Sequence, residues 1–249
     1  MLKASGDASP FAGLRAAERV IVALDCGADE ALTLARSLKG AATWMKVGMT
    51  LYYAQGPSIV AALKDEGFKV FLDLKFHDIP HQVEGAAAAA ASSGADMLTM
   101  HALGGPDMMR AAVRGAGAAA TQKGSPMPVT LGITVLTSMD EATLAAVGIA
   151  APLAEEVLML ARDAQEAGLS GVVASPQEAA ILREQLGACA YIVTPGVRPA
   201  GAALGDQSRV ATPAAALAAG ASHVVIGRPI TQAADPALAF AAIVADMEK

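Results

Sequence analysis

The sequence predicts a single-domain (β/α)8 barrel of the TIM type. Short apolar runs alternate eight times with longer Ala/Leu/Glu-rich stretches. The runs are nearly continuously apolar, as expected of parallel strands covered by helices on one side and by packed side chains on the other. Charged and hydroxyl residues gather at the carboxyl ends of the runs, where barrels of this architecture carry their chemistry. A length of 249 residues suits one such domain. The alternative, a doubly wound open sheet, would show a Gly-rich turn after its first strand. Here that turn reads "LDCGADE", with no GxGxxG.

The barrel is expected over residues 19–249, preceded by an N-terminal extension, residues 1–18, that lacks the apolar core of a signal peptide. Strand one, "RVIVALD" (19–25), ends on Asp25 and leads to a helix over 28–38. Strand two, "TWMKVG" (43–48), carries Lys46 near its end and precedes a helix over 56–66. Strand three, "KVFLDLK" (69–75), ends on Asp73 and Lys75, with a helix over 83–93. The Ala run 86–91 reads as an ordinary helix with small side chains. Strand four, "DMLTMH" (96–101), ends on His101 and leads to a helix over 106–122. Strand five, "PVTLGITV" (128–135), holds Thr134 at its end, with Thr137 just beyond and a helix over 153–167. Strands six, seven and eight are "SGVVAS" (170–175), "AYIVTPG" (190–196) and "SHVVIGR" (222–228), the last ending on Arg228. Their helices span 176–186, 213–219 and 236–247.

Composition excludes several function classes. A net charge of -6 with no basic stripe argues against a nucleic-acid partner. The longest uncharged run, 210–227, is broken by Pro213 and Gly220 and reads as helix, turn and strand, so no membrane span is expected. Two cysteines, Cys26 and Cys189, form neither a CxxC pair nor a disulfide framework, which fits a reducing cytoplasm.

The chemistry concentrates in "FLDLKFHDIP". Asp73 and Lys75 are two residues apart on a strand and share a face. Lys46 and Asp25 on neighbouring strands reach the same mouth, giving an alternating array of lysines and aspartates. Opposite charges offset one another's burial and favour the charged forms. A structural ion-pair network at the rim is the competing reading. Asp78, two residues before Pro80, reads on its own as a helix N-cap. His77 and His81 have metal-like spacing, but Pro80 lies between them and no third ligand is evident, so no metal is expected. A second cluster follows strands seven and eight, where barrels often bind phosphate. Gly196 and Gly227 allow close backbone approach, Arg198 and Arg228 supply planar forks for phosphate oxygens, and Gln207 supplies an amide. The expected ligand is a phosphorylated small molecule, anchored on one side and presented to the Lys/Asp array on the other.

Taken in order, "ALD", "KVG", "DLKFHDIP", "TVLTS", "TPGVRP…GDQ" and "IGRPI" resemble the orotidine 5′-phosphate decarboxylase family across residues 20–231. The resemblance implies a homodimeric (β/α)8 barrel that converts orotidine 5′-phosphate to UMP and CO2 without cofactor or metal. It implies that Asp25 and Lys46 bind ribose hydroxyls and support the charge network, and that Asp73 lies against the substrate carboxylate. Lys75 would deliver a proton to C6, and Asp78 would enter from the partner subunit. Thr137 would bond the pyrimidine. Gln207 and Arg228 would hold the phosphate with Arg198 in the same motif, and segment 198–209 would form a lid. The family usually reads "DIPNT" where this chain reads "DIPHQ", so His81 and Gln82 alter a contact toward the neighbouring subunit. The rival readings are a metal-dependent sugar-phosphate enzyme of related fold, a Schiff-base aldolase using Lys75, and a non-catalytic binding barrel. The first would carry a metal-binding Glu on strand two, where Lys46 stands.

Overall fold

The structure is a computed structural model that describes residues 9–198 and 211–249. Its strands are β1 (Val20–Leu24), β2 (Trp44–Gly48), β3 (Lys69–Phe76), β4 (Met97–His101), β5 (Val129–Ile133), β6 (Gly171–Val173), β7 (Tyr191–Thr194) and β8 (His223–Ile226). Each pairs in parallel with the next, and β8 pairs with β1 to close the barrel. The helices are α1 (Ala28–Ser37), α2 (Met49–Gln55), α3 (Ser58–Asp65), α4 (Pro80–Ser92), α5 (Pro106–Lys123), α6 (Glu141–Ala146), α7 (Leu153–Glu166), α8 (Ala179–Leu186), α9 (Pro213–Ala218), α10 (Arg228–Thr231) and α11 (Pro236–Met247).

All eight expected strands form. Three short helices, α2, α6 and α10, lie outside the expected pattern. Arg228 does not end a strand: β8 stops at Ile226, and Arg228 opens α10. Pro229 has no N–H for a ladder and a φ suited to a helix start, so the chain turns there.

The strands are apolar throughout because they bury two different cores. Alternate residues (Ile21, Ala23, Trp44, Phe71, Met97, Leu131, Val193, Val225) fill the barrel interior. The intervening ones, such as Val22, Met45, Val70, Leu72 and Leu98, pack outward under the helices. Asp73 and Lys75 continue the inward row that Phe71 begins. Polar side chains at these two positions can exist only because the row leaves the packed interior at its carboxyl end.

The opposite end is closed. Phe11 packs edge-on against Tyr191 at 4.9 Å and against His223 at 5.9 Å between ring centroids. Tyr191 stacks on His223, and Trp44 meets it edge-on. Tyr191, His223 and Trp44 begin β7, β8 and β2, so with Phe11 they form an aromatic floor. Arg19 braces the floor by donating to the carbonyls of Ser222 at 2.9 Å and Ala221 at 2.6 Å.

Around the outside, α4 and α5 meet at backbone distance. A Cβ placed on Gly115 would stand 2.1 Å from the Glu84 carbonyl oxygen. The Ala run of α4 therefore serves close helix packing within the chain, and Arg114 pairs with Glu84 at 2.8 Å beside it.

Candidate active site

The strand ends bring the charged residues together. Lys46 Nζ donates to Asp25 Oδ1 at 3.0 Å and lies 3.6 Å from Asp73 Oδ2. Lys75 Nζ donates to the same Asp73 oxygen at 2.8 Å. The expected alternation Asp25–Lys46–Asp73–Lys75 is thus a continuous chain of ion pairs. Lys46 and Asp73 are buried, whereas the Asp25 side chain is 67% exposed and opens the array to solvent.

Burial alone would raise the Asp73 pKa. Lys46, then Lys75 with its hydrogen bond and the Thr99 hydroxyl, outweigh that and hold the carboxyl below its ordinary range. Asp73 is accordingly an anion with both oxygens engaged: Oδ2 faces the lysines, and Oδ1 accepts from Thr99 Oγ1 at 2.9 Å.

Lys75 stands apart from every other described non-glycine residue in having a positive φ, 53°. A left-handed conformation costs on the order of 1–2 kcal/mol for a residue with a Cβ. It lies where the β3–β4 register shifts, between Leu72 and Phe76. The Lys75 N–H, released from the regular ladder, donates to Thr99 Oγ1 at 2.9 Å.

Gly48, after Lys46 in the "KVG" turn, completes the local fit. A Cβ there would stand 3.2 Å from Lys46 Nζ and 3.3 Å from Asp25 Oδ1. Sequence reasoning gave roles to neither Gly48 nor Thr99. The signal for Thr99 was register, since it lies two residues before His101 on the inward parity of β4.

A cavity of about 530 Å³ opens over the array. Asp25, Lys46, Asp73 and Lys75 line it, as do Thr137, Arg198, Gly227 and Arg228. In the closed strand order, β2 and β3 lie across the barrel from β6 and β7, so Arg198 comes from the side opposite the lysines. Phe71, Ile133 and Val173 supply apolar lining. Gln232, at the end of α10, is a lining amide that the sequence did not single out. Gln207 and nearly all of the expected lid lie outside the described residues. A smaller cavity of about 200 Å³ flanks the array and is lined by Gly48, Met49 and Thr50 with the four charged residues.

Asp78 is not a helix cap. The residue before a proline avoids the helical region, so Ile79 takes the N-cap position with ψ 152° and no side chain caps the helix. Asp78 is exposed, accepts from the Ile79 N–H at 2.6 Å, and lines neither cavity. His101 lines neither cavity, and burial, with His77 and Lys75 nearby, lowers its pKa. Thr134 lines neither cavity and donates to the Val173 carbonyl at 3.0 Å. Among the described residues no group of three His, Cys, Asp or Glu side chains is placed to hold a metal ion. Nor is any helix among them long and apolar enough to cross a membrane.

Residues 18–243 match the model of the orotidine 5′-phosphate decarboxylase / HUMPS family. The chain belongs to that family. It is 53% identical over 230 residues to an orotidine 5′-phosphate decarboxylase of Halorhodospira halophila, covering 92% of this chain and 95% of the relative. It is 52% identical to the enzyme of that name from Nitrosococcus oceani, with 92% and 97% covered. A crystal structure of orotidine 5′-phosphate decarboxylase from Lactobacillus acidophilus superposes with a TM-score of 0.83 at 38% identity, covering 93% of this chain and all of that one. The family's barrel is thus the one built here, with the ion-pair array at its mouth.

Proposed function

We propose that this chain is a carboxy-lyase that converts orotidine 5′-phosphate to UMP and CO2, the last step of de novo pyrimidine biosynthesis. The observation that carries the reading is the Asp25–Lys46–Asp73–Lys75 chain of ion pairs facing a cavity with Arg198 and Arg228 on its lining. Arg198 and Arg228 take the phosphate, with Gln207 joining them. Thr137 bonds the pyrimidine, Asp25 and Lys46 the ribose, and the backbone at Gly227 leaves room for the phosphate end.

The chemistry follows from charge. Asp73 is held ionised beside the substrate carboxylate and repels it, a repulsion that vanishes as CO2 leaves. The electron pair of the broken C–C bond remains on C6. The Lys75 ammonium, fixed 2.8 Å from Asp73, faces that carbanion as a preorganised electrostatic partner and then transfers its proton to C6. No cofactor is needed for these steps. A metal-assisted route, as in a sugar-phosphate synthase of related fold, meets an obstacle in Lys46, whose ammonium repels a divalent cation at the strand-two position. A Schiff base on Lys75 meets another, since its Nζ is engaged in the 2.8 Å ion pair with Asp73.

The working unit is a homodimer in which the partner copy delivers its own Asp78 to the array. Two features support this. Met49, Tyr53, Ile79 and Leu103 are large exposed apolar side chains on the segments following β2, β3 and β4, and the smaller cavity flanking the array opens beside Met49. Cys26 and Cys189 carry free thiols, in keeping with a cytoplasmic setting.

The test follows the absorbance of orotidine 5′-phosphate with and without EDTA. Chelator-insensitive loss of substrate supports the reading, and activity restored only by added metal overturns it. Lys75→Ala should lower kcat on the order of 1000-fold or more while UMP still binds, as measured by calorimetry. For the dimer, Asp78→Asn should lower kcat and leave the sedimentation coefficient of a dimer in place.

A further inference from the structure

We infer that Thr99 is a positioning residue for the decarboxylation: its single hydroxyl locks the Asp73 carboxylate and the backbone of Lys75 into one geometry. The inference rests on the function proposed above and deepens it.

A hydroxyl has one proton to donate and lone pairs to accept with. At Thr99 both capacities are used, and their directions are forced. Asp73 is an ionised carboxylate and only accepts, so the Thr99 proton points to Asp73 Oδ1 at 2.9 Å. A backbone N–H only donates, so the Lys75 N–H points to Thr99 Oγ1 at 2.9 Å. Thr99 is fully buried, and its side chain is β-branched and stiff at χ1. The hydroxyl therefore has one orientation and no water to compete for it.

Each half of this clamp has a consequence. With Oδ1 held by Thr99, the carboxylate cannot rotate, so Oδ2 stays on the two lysines, 2.8 Å from Lys75 and 3.6 Å from Lys46. The Lys75 N–H, held by Thr99 Oγ1, keeps the left-handed φ of 53° that takes this residue off the β3 ladder. The ion pair alone fixes only the tip of the lysine. Thr99 fixes its root, and it does so from the neighbouring strand. A misplacement of about 1 Å in a reacting group can cost on the order of 100-fold in rate, so this clamp belongs to the chemistry as much as to the fold.

Thr99→Val tests the assignment, because valine keeps the shape and the β-branch and removes only the hydroxyl. The expected result is a fall in kcat on the order of 10- to 100-fold, with KM and UMP affinity within about 3-fold of the parent. Thr99→Ser, which restores a hydroxyl, should recover most of the lost kcat. The inference is overturned if Thr99→Val retains the parental kcat, if UMP affinity falls as far as kcat does, or if serine gives no recovery. Should the valine variant not fold, the same comparison is read on Thr99→Ala. If neither folds, the hydroxyl is a folding device and the positioning role is wrong. Decarboxylation by the parent protein is measured alongside, so a failure of the function itself is told apart from a failure of this residue's role.

Discussion

Gly48 lets Lys46 stand between two acids because it has no side chain of its own. Gly48→Ala puts a methyl 3.2 Å from the Lys46 ammonium, which must shift. We expect kcat/KM to fall about 10-fold with little change in thermal midpoint, and parental kinetics would remove Gly48 from the account. Asp73, Lys75 and Lys46 were legible in the sequence because a charge inside an apolar strand is conspicuous. Thr99 and Gly48 were not, since threonine in a strand and glycine after one are unremarkable until register brings them beside a charge. The cap reading of Asp78 failed for a similar local reason, the proline's restriction on Ile79. At the far end, burial in the aromatic floor, with Arg19 and Lys69 nearby, lowers the His223 pKa from 6.5 to about 3. The unfolded chain therefore binds a proton that the folded one refuses. Stability from this group is complete above pH 6.5 and is lost as pH falls toward 3, on the order of 4 kcal/mol in all. Urea unfolding at stepped pH should show that slope, and His223→Phe should flatten it.

Among the elements, the eight strands and their long helices were legible because each is a run long enough to show its period. Helices α2, α6 and α10 were not, being four to seven residues long, too short for periodicity to separate from loop. The irregularity of β3 was also hidden. "KVFLDLKF" reads as one unbroken strand, and only the turn of Lys75 into a left-handed conformation reveals the irregularity there. Helices α4 and α5 form the tightest pair described, and composition alone did not say that the Ala run of α4 faces α5. Gly115→Ala drives a methyl into the Glu84 carbonyl and should cost about 1–3 kcal/mol as α5 is pushed outward. Chemical denaturation measures it, and a variant as stable as the parent would show that the helices can separate freely.

For the whole molecule, closure of the sheet into a ring was foreseeable from eight strand–helix units in 249 residues. The sealing of one end by Phe11 was not. A lone aromatic in "ASPFAGLRAAERV" carries no period, and its partners Tyr191 and His223 lie far along the chain. Phe11→Ala should destabilise the barrel by about 3 kcal/mol and leave kcat unchanged, since the floor lies at the end away from the array. A large loss of kcat in a well-folded variant would contradict that separation. Among the described residues, rings stopper the base and the barrel's cavity opens at the end that carries the array. Substrate, nucleotide product and carbon dioxide therefore share that end, and a product still bound there stands in the way of the next substrate.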